Sequence, residues 1–109
     1  MFVIYIQTIM ALFIGFVVPN VTQGQLERLF HETFDAGVNV RFSKERKNQY
    51  GTLYKSATIE VISSTPCLRH FLSQVTLHGN NTFIGDGNSY KVQFAEDSAP
   101  VRKISPHVM

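Results

Sequence analysis

The chain has 109 residues, enough for one domain and no more. With 17% charged and 44% hydrophobic residues it is not disordered by composition, and a formal net charge of +2 is too small to imply a nucleic-acid or anionic-membrane partner. The averages conceal an asymmetry. Residues 1–24 contain no Asp, Glu, Lys, Arg or His, so every formal charge lies from Glu27 onward.

Met1 to Val18 is apolar apart from Gln7 and Thr8, and Pro19 ends the run because proline cannot continue a helical ladder. Thr22 and Gly24 then place small residues three and one before Gln25, the spacing a signal peptidase reads. The expectation is a signal peptide over residues 1–24, cut between Gly24 and Gln25. No Lys or Arg precedes the apolar run, however, and such segments ordinarily carry one. An uncleaved single apolar helix is the first alternative, since about 18 apolar residues sit at the lower edge of what spans a bilayer. Arg28, Arg41, Lys44, Arg46 and Lys47 would then hold the domain on the cytoplasmic side. A buried core helix or strand pair is the second. Asn20-Val21-Thr22 and Asn80-Asn81-Thr82 both fit the glycosylation acceptor pattern, and Asn80 falls in an expected polar turn where a glycan has room.

Residues 25–96 read as a small α+β domain. Leu26, Leu29, Phe30 and Phe34 share one helical face, which predicts an amphipathic helix over 25–36 with Gly37 as its C-terminal cap. Val38 to Phe42 alternates apolar and polar, a strand signature; Ser43 to Gly51 reads as an exposed loop. Thr52 to Ser63 is the clearest strand, with Leu53, Ala57, Ile59 and Val61 on one face and Lys55 as that face's exception. Ser63 to Pro66 is a breaker cluster. The stretch from Cys67 to Leu77 fits helix or strand, and the expectation is strand from residue 70, because Val75, Thr76 and Leu77 run straight into the turn at Gly79. Asp86-Gly87 between Thr82–Ile84 and Tyr90–Phe94 is a strong hairpin signal. Residues 97–109 hold two prolines and no period, and read as a loose tail.

The expected architecture is therefore an N-terminal amphipathic helix on a four- or five-stranded antiparallel sheet. Leu26, Leu29, Phe30 and Phe34 would be buried against Leu53, Ile59, Val61, Val75, Val92 and Phe94. In element order alone this is similar to cystatin-type inhibitors. Their Gln-x-Val-x-Gly loop is not matched, since Gln74-Val75-Thr76-Leu77-His78-Gly79 has a different spacing.

Few residues suggest chemistry. Cys67 is the lone cysteine. A buried apolar thiol is the expected state, with an intermolecular disulfide to a second copy as the alternative. His70 could activate the thiol only if the segment were helical. A metal site drawn from Cys67, His70 and His78, with His31 or Asp35, has one ligand cluster where structural sites normally show two. Gly85 to Ser89 lacks the later carboxylates of a calcium loop and the Lys-Ser/Thr of a phosphate loop. No catalytic constellation, metal or cofactor is expected. By elimination, the chain reads as a small secreted non-enzymatic protein that binds another macromolecule, with a protein rather than a nucleic acid as partner. A single-pass membrane-anchored protein and a protease inhibitor of cystatin-like topology are the alternatives.

Overall fold

The computed structural model describes residues 10–95. Two helices cover one face of an antiparallel sheet, and no other described element covers the opposite face, called the open face below. The elements in order are β1 (Met10–Val17), α1 (Gln23–Phe34), β2 (Gly37–Phe42), β3 (Arg46–Lys47), β4 (Leu53–Ser63), α2 (Pro66–His78), β5 (Asn81–Gly85) and β6 (Asn88–Phe94). The strands are ordered β2-β4-β1-β6-β5, and the short β3 pairs with β4. The half of the apolar segment that is described thus forms the central strand. Residues 1–9, and the expected tail over 97–109, lie outside the described residues.

The β1 strand is laddered to β4 from Met10↔Val61 to Ile14↔Ala57, and to β6 from Leu12↔Phe94 to Ile14↔Val92. A bulge between Ile14 and Val17 lets Val17 rejoin β4 opposite Lys55. Leu12, Ile14 and Val17 point to the helices and are buried. Alternation accounts for the rest of the inner face: Val38 and Val40 on β2, Ala57 and Ile59 on β4, Phe83 on β5, Tyr90 and Val92 on β6. Among the expected core residues, Leu53 is the exception. It lies at the start of β4, opposite Lys47, and is exposed.

Helix α1 begins where Thr22 accepts a hydrogen bond from the Gln25 amide at 3.1 Å while the Gln25 side chain accepts from the Thr22 amide at 3.4 Å. This is a capping box, and such a cap contributes about 1 kcal/mol. The helix ends at Asp35, which takes a left-handed conformation (φ 56°), so Gly37 opens β2 rather than closing the helix as expected. Leu26, Leu29, Phe30 and Phe34 are buried, as the spacing predicts. On the exposed edge of the sheet, Glu27 Oε2 accepts from the Val40 amide at 2.9 Å and blunts β2 as a pairing site.

The strand expected from residue 70 is instead the second helix. Thr65 caps it by accepting from the Leu68 amide, Pro66 occupies its first turn, and Gly79 (φ 86°) closes it. These signals at both ends outweigh the period-two reading of Phe71, Ser73, Val75 and Leu77. Leu68, Leu72 and Val75 are buried, whereas Leu77 is exposed. The Thr65 hydroxyl also donates to the Phe34 carbonyl, which ties the start of α2 to the end of α1. Between the helices and the sheet, Phe83 is ringed by Phe30, Phe34, Phe71 and Tyr90 at centroid distances of 5.2 to 6.1 Å.

The hairpin forms as expected. Asp86 (φ 52°) and Gly87 (φ 81°) are its two turn residues, both at positive φ, as a tight turn matched to strand twist requires. Asp86 is also held from the helix side, accepting from Arg28 at 2.9 Å and from the Gln25 side chain at 3.0 Å. These bonds hold its carboxyl below the usual carboxylate range, Gln25 first and Arg28 second.

Candidate functional site

The open face of the sheet is built by the alternate residues of the same strands. On β1, Phe13 points outward, half-buried, between Thr58 of β4 and Gln93 of β6, its register partners. One bulge further on, Phe16 is 46% exposed and its ring lies on Tyr54, with centroids 5.3 Å apart and planes within 9°. The central strand and its neighbour β4 thus present three aromatic rings on the uncovered side.

Basic residues surround them. Arg41 on β2 pairs with Thr58, Arg46 on β3 pairs with Tyr54, and Lys91 on β6 lies one alternation from Gln93. All three are exposed, and none is in an ion pair among the described residues. The acids are largely elsewhere: Glu27 and Glu32 are on α1, Asp35 caps it, and Asp86 is bonded to it. Glu60 lies on the open face towards one end, within 3.5 Å of the Asn39 side chain. Glu45 directly precedes Arg46, and Arg28 and Arg69 lie on the helices, so the separation of charge is partial.

Between β1 and β6 the open face is indented. The ladder between them ends at Ile14↔Val92, yet β6 continues back to Asn88, so beyond that point the two strands are not paired. A shallow hollow of about 300 Å³ results, lined by Gly15, Phe16, Ser89, Lys91 and Gln93.

The other candidate residues do not form a site. Cys67 is exposed rather than buried: it lies in the first turn of α2, and its thiol donates to the Thr33 carbonyl of α1 at 3.7 Å. Gly24 and Gln25, the expected cleavage pair, lie in the first turn of α1. Asn80 is half-buried in the link between α2 and β5. His31 is 4.0 Å from Asp35 on the surface of α1, and no group of three or more His, Cys, Asp or Glu side chains among the described residues could hold a metal ion. No helix among the described residues is long and apolar enough to cross a membrane.

Sequence reasoning missed the open face because it treated residues 1–24 as removable. Leu12-Phe13-Ile14 is apolar throughout, so no period-two pattern marks the two faces of this strand. No family model matches the chain, and neither curated proteins nor solved structures give a significant match to it.

Proposed function

We propose that the domain is a non-catalytic binding module that holds single-stranded nucleic acid against the open face of its sheet. The observation that carries this reading is the pattern on that face: Phe13, Phe16 and Tyr54 on the two adjacent strands β1 and β4, bordered by Arg41, Arg46 and Lys91, which have no ion-pair partner among the described residues. Flat rings stack on bases whatever their sequence, and unpaired cations attract the phosphates. An open antiparallel sheet is a common platform for such stacking. The same cations disfavour two copies of this face meeting each other, since like charges would then oppose.

The test is fluorescence anisotropy of labelled oligonucleotides with the whole chain at several salt concentrations. Single-stranded RNA or DNA is expected to bind better than duplex, more weakly as salt rises. Phe13→Ala is expected to weaken binding about tenfold, the loss of one stacked base. Absence of binding at low salt by the folded chain would overturn the reading.

A second reading, an exported protein that binds a protein partner, is favoured by the uncharged first 24 residues. It and the sheet make opposite demands on Met10–Val17, which export with cleavage after Gly24 would remove. The N-terminal sequence of the mature protein from its native source decides between them: Gln25 supports export, and a start before Met10 supports a retained β1.

A further inference from the structure

We propose that the hollow between the β1 bulge and β6 is a pocket for a single nucleobase, and that Gln93 determines which base it prefers. This rests on the nucleic-acid reading and adds a specific subsite to it. The hollow exists because β1 leaves β6 after Ile14↔Val92, so the space a continuous ladder would fill is open. Gly15 contributes no side chain to it, and Phe16 supplies a wall that is 46% exposed. The side chains of Ser89, Lys91 and Gln93 make no hydrogen bond or ion pair with the described residues.

The chemistry of these groups fits a nucleotide. The Phe16 ring offers a stacking surface. The Gln93 carboxamide both donates and accepts, so it can pair with a base edge that presents the complementary groups and leaves a mismatched edge unsatisfied. Lys91 also lines the hollow and supplies a cation for a phosphate, and no carboxylate among the described residues lines it. Because Gln93 is also the register partner of Phe13, a base in the hollow and a base on Phe13 would be neighbours along one strand.

The experiment compares four labelled single-stranded homopolymers, each of one base, on the whole chain and on Phe13→Ala, Phe16→Leu, Lys91→Ala and Gln93→Met. Thermal melting first establishes that each variant is folded. Lys91→Ala is expected to weaken all four homopolymers alike, and Phe16→Leu to weaken all of them about tenfold. Gln93→Met is expected to compress the ranking among bases while leaving the weakest homopolymer within about twofold of wild type. If the wild type binds none, the nucleic-acid reading and the pocket fall together. If the wild type binds and Phe13→Ala weakens it, but Phe16→Leu and Gln93→Met leave affinity and ranking unchanged, the face is a binding surface and the pocket is overturned.

Discussion

The ammonium of Lys55 donates to the carbonyl of Val21 at 2.7 Å and to that of Pro19 at 2.9 Å, from a position on the buried face of β4. It also sits 3.9 Å from the centroid of the Phe42 ring. A charged group with no carboxylate partner among the described residues is thus accommodated by two carbonyl dipoles and an aromatic face. The contact fastens the link between β1 and α1 to the middle of the sheet. Lys55→Met keeps the stem but removes the donors, leaving two carbonyls of that link unsatisfied. It is expected to destabilise the domain by about 1–3 kcal/mol in denaturant unfolding. A stability equal to wild type would mean that this charge contributes nothing to the fold.

Tyr90 poses the opposite problem. Its ring is buried against Phe83, and its hydroxyl makes no direct hydrogen bond with the described residues. Burial pushes the phenol above its ordinary value of 10.0. Tyr90→Phe removes a desolvated hydroxyl and keeps the ring, so it is expected to leave stability unchanged or raise it by up to about 1 kcal/mol. The raised pKa has a definite sign. The unfolded chain loses this proton first, so the contribution is fully present below pH 10 and is lost as pH rises through the folded value. The Tyr90→Phe protein should lack that part of the alkaline decline in melting temperature.

The turn of the β5–β6 hairpin gives a sharper test of backbone geometry. Gly87 has φ 81° and nothing within 4 Å of where a Cβ would stand, so a substitution there meets strain but no clash. Gly87→Val is expected to cost about 1 kcal/mol or more, and Gly87→Asn distinctly less, since asparagine tolerates the left-handed region. Equal losses for the two variants in thermal melting would point to a cause other than φ.

These elements also show what was readable from sequence. The hairpin was, because Asp86-Gly87 admits few alternatives. So was α1, because four large apolar residues share one face at helical spacing. Helix α2 was not, because Phe71 to Leu77 satisfies either period. Only the caps at Thr65 and Gly79 decide it, together with burial of Leu68, Leu72 and Val75. Thr22-Gln23-Gly24-Gln25 carried two meanings at once: small residues at cleavage spacing, and a threonine three before a glutamine, which is a capping box. A central strand buried on one face by helices and crowded on the other by aromatics is almost uniformly apolar. In composition it cannot be told from a segment bound for a membrane. The open face became visible only once Phe13 was placed beside Thr58 and Gln93, residues 45 and 80 positions further along the chain.

The exposure of Cys67 reverses the expected behaviour of its thiol. In the folded protein it is expected to be alkylated without prior unfolding. Cys67→Ala should change stability by less than about 0.5 kcal/mol. Non-reducing electrophoresis of the protein from an oxidising environment tests the disulfide-linked dimer directly, as a band at twice the monomer mass that is lost on reduction. Strong protection of the native thiol from alkylation in the reduced monomer would contradict its exposure.

Removal of residues 1–24 is the most decisive perturbation. It deletes β1, which β4 and β6 both pair with, and so separates the β2–β4 pair from the β5–β6 hairpin. It also deletes Thr22, the cap of α1, and the carbonyls that receive Lys55. The buried side chains of Leu12, Ile14, Val17 and Val21 go with it. Their burial is worth together about 6–12 kcal/mol, comparable to the whole stability of about 5–15 kcal/mol that such domains have. A chain of residues 25–109 is therefore expected to show poor amide dispersion and no cooperative melting transition, while the full chain shows both. The cut at Gly24 and the folded sheet cannot both describe the mature protein. A shortened chain that melts cooperatively with native-like dispersion would show that the sheet closes without β1, and would return the apolar segment to the role of a removable leader.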